Sequence, residues 1–139
     1  MNNDVLTAMK ISVSGMKAQG ERINVIAQNI ANAGTLPGSP EEEPYRRKII
    51  TFENEFNREL NAELVVLDDI DEDKRSDFGL EYMPNHPAAD ENGYVQTPNV
   101  QSLVEMQDMK EAQRSYEANL GMVTQAREMY MRTVDLLRR

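Results

Sequence analysis

His86 is the only histidine in the chain, and there is no cysteine to join it as a thiolate or metal ligand. Standing between Asn85 and Pro87, it lacks the second ligand or nucleophile that imidazole chemistry needs. Asp69, Asp71 and Asp73 have the spacing that opens a calcium-binding loop. Such a loop requires glycine at its sixth position and a bidentate glutamate at its twelfth, where this chain has Lys74 and Leu80. The run therefore reads as a solvated acidic loop. No glycine-rich phosphate loop, serine elbow or zinc-ligand spacing occurs. These residues point to a non-enzymatic chain that uses no cofactor and no metal.

Charge placement says more about partners. The net charge is −9, which opposes binding to nucleic acid and to anionic membrane surfaces. No stretch has the length and apolarity of a membrane span, which argues against direct insertion. The first twenty residues lack a basic leader and a continuous apolar run, so no cleaved signal peptide is expected. Residues 41–92 hold sixteen acidic side chains against six basic ones, and all six prolines lie between Pro37 and Pro98. The sequence divides into a proline-free start (1–35), an acidic proline-bearing middle (36–98) and a proline-free end (99–139).

Both ends have helical patterning. Leu6, Met9, Val13, Met16, Gly20, Ile23, Ala27 and Ile30 alternate steps of three and four, which is a heptad seam. Helix over residues 5–33 would span roughly 44 Å at about 1.5 Å per residue. Gly34 stands where a left-handed cap commonly ends a helix, and Pro37 opposes continuation. In the last segment Met109, Tyr116, Val123, Tyr130 and Leu137 recur every seven residues, with Met106, Leu120 and Val134 on one side and Ala112 and Ala126 on the other. Met122, Met129 and Leu136 widen this surface beyond one seam, so the helix has more than one neighbour. Its start falls near Pro98 or Asn99. Pairing of the two ends as a coiled coil is the simplest arrangement.

One face of the first helix is unusual. No charged residue occurs between Ile23 and Pro40, and the side opposite Ile23, Ile26, Ala27 and Ile30 carries Val25, Gln28 and Asn32. Interface cores are depleted in charge, so this face is expected to be covered by copies or paralogues of the same chain. The middle reads as strands at "YRRKIITF", "AELVVLDDI" and "FGLEYM", with Phe78, Leu80 and Tyr82 as one buried face and Asn92-Gly93 as a turn. The fold class is thus α+β: long terminal helices paired as a coiled coil, with a small β-rich insertion between them.

Four stretches carry a family resemblance: "SGMKAQGERINVIAQNIANAGT", "PYRRKIITF", "HPAADENGYVQTPNV" and "EMQDMKEAQRSYEANL". Together they resemble the flagellar basal-body rod proteins over nearly the whole chain, most closely the short proximal-rod members. The resemblance implies a structural subunit whose terminal helices form an inner coiled-coil layer, with the β-rich piece outside it. It places Asn24, Asn29, Ala31 and Asn32 in that packed layer. The implied partners are copies of the chain, other rod proteins, inner-membrane ring and rod-adaptor proteins, and the flagellar type III export apparatus. The implied location is the periplasmic rod, reached without a cleaved signal. Lys110 departs from the family pattern, where an apolar residue is usual, and so does the acidic linker "LPGSPEEE". The candidate assembly interface comprises Leu6, Met9, Val13, Met16, Ile23, Asn24, Ile26, Asn29, Ile30 and Asn32 at the start. At the end it comprises Met109, Tyr116, Asn119, Leu120, Val123, Tyr130 and Leu137. The competing function class is a cytosolic helical adaptor or chaperone using the same seams to bind one partner.

Overall fold

A computed structural model describes residues 2–138. The elements run α1 (Asn2–Asn32), β1 (Lys48–Asn57), β2 (Ala62–Glu72), β3 (Gly79–Tyr82), β4 (Tyr94–Thr97) and α2 (Ser102–Leu137). Two long helices therefore flank, in sequence, two small sheets made of β1–β2 and β3–β4. Among the described residues, no helix is long and apolar enough to cross a membrane. Compactness does not follow chain order. One unit gathers Met1–Ile23, Thr51–Asp69 and Lys110–Arg139, and the other gathers Asn24–Ile50 and Ile70–Met109. Both helices and the β1–β2 hairpin contribute to each.

The helix ends are made by side chains other than those the sequence suggests. Gly34 is not in the left-handed region, since Gly93 is the one glycine with positive φ among the described residues. Instead, Asn32 donates its amide to the Gln28 carbonyl (2.8 Å). The Ile30 and Asn32 carbonyls accept from the Ala33 and Thr35 amides in tightened turns, so the last carbonyls need no glycine. At the start of α2, the Gln101 carbonyl accepts the Glu105 amide (3.0 Å). Asn99 does not cap this helix, because its side chain is committed to residues 47, 73 and 76.

Within the first unit, α1 turns its more polar row toward the chain. The deepest burial on α1 includes Ser12 and Ala18, and Ser14 accepts the Val65 amide of β2 through its hydroxyl. A Cβ built on Gly15 would lie 2.9 Å from the Asn119 amide nitrogen of α2. Glycine is required here so that Asn119 can approach the α1 backbone. The hairpin turn that joins β1 to β2 is closed by Asn57, whose side-chain oxygen accepts the Glu59 and Leu60 amides, while Asn61 takes a positive φ of 48°. Asparagine tolerates that region better than other non-glycine residues.

Within the second unit, the β3–β4 alternation holds but its phase is inverted. Glu81 pairs with Val95 and Leu80 with Gln96. Val95 is the fully buried member, so Leu80 and Tyr82 lie on the opposite, exposed face. There Tyr82 stacks edge-on with Tyr94 at 5.3 Å. The inversion has a cause: Gly79 lies against the Thr97 side chain and leaves no room for a larger residue. The acidic linker lies beside this face, where Pro37 and Pro40 share a small cleft with Leu80 and Tyr94. Gly93, at φ 83°, closes the turn before β4.

Asp73 organises the connection from β2 to β3. Its carboxylate accepts the Ser76 hydroxyl (2.8 Å) and the Arg75 and Ser76 amides. The Ser76 hydroxyl, then the Arg75 amide, hold this carboxyl below its ordinary value of 3.8. Stabilisation from the charged form is complete above pH 3.8 and is lost as pH falls through the folded-state pKa. Asp73→Ala should cost about 1.5–3 kcal/mol at pH 7, the usual worth of hydrogen bonds to a charged group. Asp73→Asn should lose less, and its urea midpoint should converge with that of the parent as pH drops below 3.8. A gap that stays constant into acid would show that ionisation of Asp73 is irrelevant to stability.

Candidate assembly surface and its polar node

A helix that carries asparagine where a charge or a leucine would be ordinary has to place that amide somewhere. Asn29 is fully buried, and all its hydrogen-bonding capacity is used. Its oxygen accepts the Lys48 backbone amide (2.8 Å) and the Tyr45 hydroxyl (3.0 Å). Its nitrogen donates to the Lys48 carbonyl (2.9 Å) and to the Glu105 carboxylate (3.1 Å). Two donors and two lone pairs are all an asparagine amide has. Toward Lys48 it behaves as a neighbouring peptide in a β-ladder would, giving one bond and taking one. That is why β1 begins at Lys48 and not at Tyr45.

Asn99 repeats the device one residue away. Its oxygen accepts the Arg47 amide (2.7 Å) and its nitrogen donates to the Asp73 carbonyl (3.0 Å). Glu105 is also fully buried, where an unpaired carboxylate would cost several kcal/mol. The Arg47 guanidinium meets it at 2.5 Å and lies 3.7 Å from Asp108. Residues from four separate stretches thus close one polar node: Asn29 from α1, Tyr45–Lys48, Asn99, and Glu105 from α2. Sequence reasoning quoted the stretches but did not pair Arg47 with Glu105. The available signal was an acidic residue on the heptad row that continues through Met109, Ala112 and Tyr116.

The candidate interface residues divide by exposure. Ile26 and Asn29 are buried within the chain. Met9, Met16, Ile23, Ile30 and Asn32 are half-buried on α1, as are Met109, Tyr116, Asn119, Val123 and Tyr130 on α2. Leu6, Val13 and Asn24 are exposed, and so are Leu120 and Leu137. On α1 the inward row is Ser12, Gly15, Gln19, Arg22, Ile26 and Asn29, each one position before the expected seam of Val13, Met16, Gly20, Ile23, Ala27 and Ile30. Requirements at Gly15 and Asn29 select this phase. The amide-rich face is also answered partly within the chain. Val25, expected to face other subunits, is buried here. Gln28 accepts the Lys48 ammonium (3.0 Å).

The residues first weighed for chemistry have structural jobs. Asp73 anchors its turn, and the ring nitrogen Nδ1 of His86 accepts the Ala88 amide (3.1 Å). Among the described residues, no group of three His, Cys, Asp or Glu side chains stands close enough to hold a metal ion.

Removing the Asn29 amide leaves the Lys48 peptide, the Tyr45 hydroxyl and part of Glu105 without partners, at about 1–3 kcal/mol for each buried unsatisfied group. Asn29→Ala should therefore cost about 2–4 kcal/mol in urea unfolding. Asn29→Asp should cost more, because it replaces two donors by acceptors beside Glu105. Tyr45→Phe should cost about 1 kcal/mol at neutral pH. Burial, then the Glu105 and Glu72 carboxylates, push the Tyr45 phenol above 10. That contribution is complete below pH 10 and is lost as pH rises through the folded value. An Asn29→Asp chain as stable as its parent would refute the node.

Comparison with known proteins bears on all four stretches. Residues 9–35 match the family model for flagella basal body rod protein, and residues 91–136 match that for the C-terminal part of flagellar basal body rod FlgEFG proteins. The flagellar basal-body rod protein FlgC of Agrobacterium fabrum is 45% identical over 131 residues, covering 94% of each chain. FlgC of Aquifex aeolicus is 39% identical, with 95% of this chain and 96% of the relative covered. FlgC of Escherichia coli O157:H7 is 36% identical, with 95% and 97% covered. At that identity over almost its whole length, the chain belongs to the FlgC family of flagellar basal-body rod proteins.

Proposed function

We propose that this chain is a structural subunit of the proximal rod of the bacterial flagellar basal body, polymerising with copies of itself and paralogous rod proteins into the drive shaft that transmits torque. In this reading the paired terminal helices form a coiled-coil inner layer. The chain reaches the periplasm through the flagellar type III export apparatus without a cleaved signal, and meets inner-membrane ring and rod-adaptor proteins at the base.

The observation that carries the reading is apolar surface left on helices that already have an inward row. On α2, Leu120 is 46% exposed, Met129 54%, Leu136 72% and Leu137 77%. On α1, Leu6 and Val13 are exposed on the row next to the buried one. Single exposed apolar residues need no explanation, whereas rows of them mark contact surfaces. Burying each is worth about 1.5–3 kcal/mol for a full side chain. Summed over many subunits, this outweighs the entropy cost of assembly.

Because these side chains are exposed in the single chain, charge can be introduced without damaging the monomer. Leu120→Asp and Leu6→Asp should shift monomer stability by no more than about 0.5 kcal/mol, the usual range for surface changes. Both should abolish rod assembly and swimming. His86→Gln removes one acceptor for the Ala88 amide and should leave motility intact. Swimming assays, basal-body purification and circular dichroism of each variant check this. Motile Leu120→Asp cells with the variant built into the rod, beside a paralysed His86→Gln strain, would overturn the structural reading.

A further inference from the structure

Within the first unit, α2 carries two features that cannot satisfy each other in one chain. The first is an open groove of about 370 Å³ lined by Val5, Ala8, Met122, Ala126 and Met129, in which the only charged lining residue is Asp4. Small side chains at Ala8 and Ala126 leave the space. The second is the adjacent pair Leu136 and Leu137, the most exposed large hydrophobic side chains described in this unit. They lie seven and eight residues beyond Met129, roughly 10–12 Å at about 1.5 Å per residue, on the same uninterrupted helix. A continuous helix cannot bend its own end back into a groove along its side.

We infer that Leu136 and Leu137 of one subunit seat in the Val5–Ala8–Met122–Met129 groove of a second copy of this chain. Charge agrees with this occupant, because Arg132 and Arg138 flank the leucine pair and Asp4 lies on the groove. The contact joins two different surfaces, so it does not close as a two-fold dimer. Repeated, it advances from copy to copy, which is how rings and helical filaments arise. The inference rests on the rod-subunit reading and adds the direction and register of one contact within it.

The chain has no cysteine, which allows a disulfide test in purified basal bodies. A variant carrying both Ala8→Cys and Leu137→Cys cannot bridge internally, because the two positions are too far apart for the roughly 4.4–6.8 Å that a disulfide spans between Cα atoms. Mild oxidation should give a ladder of covalent multimers at least tenfold stronger than in either single variant. Leu137→Asp, at an exposed position, should leave the helical circular dichroism unchanged and lower the self-association constant of the purified chain about tenfold. Rods that contain the double variant but show no ladder would overturn the docking and leave the rod reading intact. So would a photo-crosslinker at residue 8 that captures a different rod protein in place of a copy. Absence of the chain from basal bodies altogether would refute the rod reading, and the docking with it.

Discussion

The pairing of the Asn29 amide with the Lys48 peptide is the constraint on which much of the second unit depends. It uses both halves of the amide and both halves of the peptide, so neither partner can shift by one residue without leaving a polar group buried and unbonded. That requirement fixes which side of α1 faces the chain at that point. It also sets where β1 begins, and it brings the Glu105 carboxylate to a buried position where only an arginine and an amide can make it tolerable. Tyr45 and Asn99 complete the arrangement from neighbouring segments. A network satisfied at every member specifies one arrangement in a way that a greasy contact of equal strength would not.

The cost of this choice is carried by the helix surface. Because the polar and small row of α1 faces inward, the row of leucine, valine, methionine and isoleucine beside it is left exposed or half-exposed. The same holds on α2, where leucines and methionines lie outside the inward row of Met109, Ala112, Tyr116, Asn119 and Val123. A monomeric protein selected for solitude would show the reverse assignment. Here hydrogen bonds define the subunit, and hydrophobic surface is reserved for its neighbours, so the stability of the assembled state depends on subunit concentration.

Much of the architecture was legible because it rests on periodicity. The heptad rows announced both helices, and Asn92-Gly93 announced the turn that Gly93 makes with positive φ. The inward row of α2 was readable because its apolar residues sit on it. On α1 the phase was not, since Ser12, Gly15 and Asn29 face inward for reasons of close approach and amide pairing that hydropathy ranks below Val13, Met16 and Ile30. The inverted face of β3 follows the same pattern, because contact between Gly79 and Thr97 outweighed the burial expected of Leu80 and Tyr82. The Arg47–Glu105 pair spans 58 residues of chain, and no local pattern in the sequence could join them. What the sequence carried most fully was the membership of four stretches in one family. What it withheld was the reason they travel together, which is that they close one polar node.

The central claim is that the outer apolar row of α2 is covered by other subunits in the assembled rod. Methionine oxidation reads this directly, since exposed thioethers convert to sulfoxide and covered ones are spared. Met122, Met129 and Met131 are each more than half exposed in the single chain, whereas Met16 and Met109 are not. Brief peroxide treatment of the free protein and of purified basal bodies, with peptide mass spectrometry at each methionine, compares the two states. The account predicts fast oxidation of the first three in the free chain and at least fivefold slower oxidation of most of them in the rod. Equal rates in both states would mean that this surface remains open to solvent in the assembly, and would contradict the account.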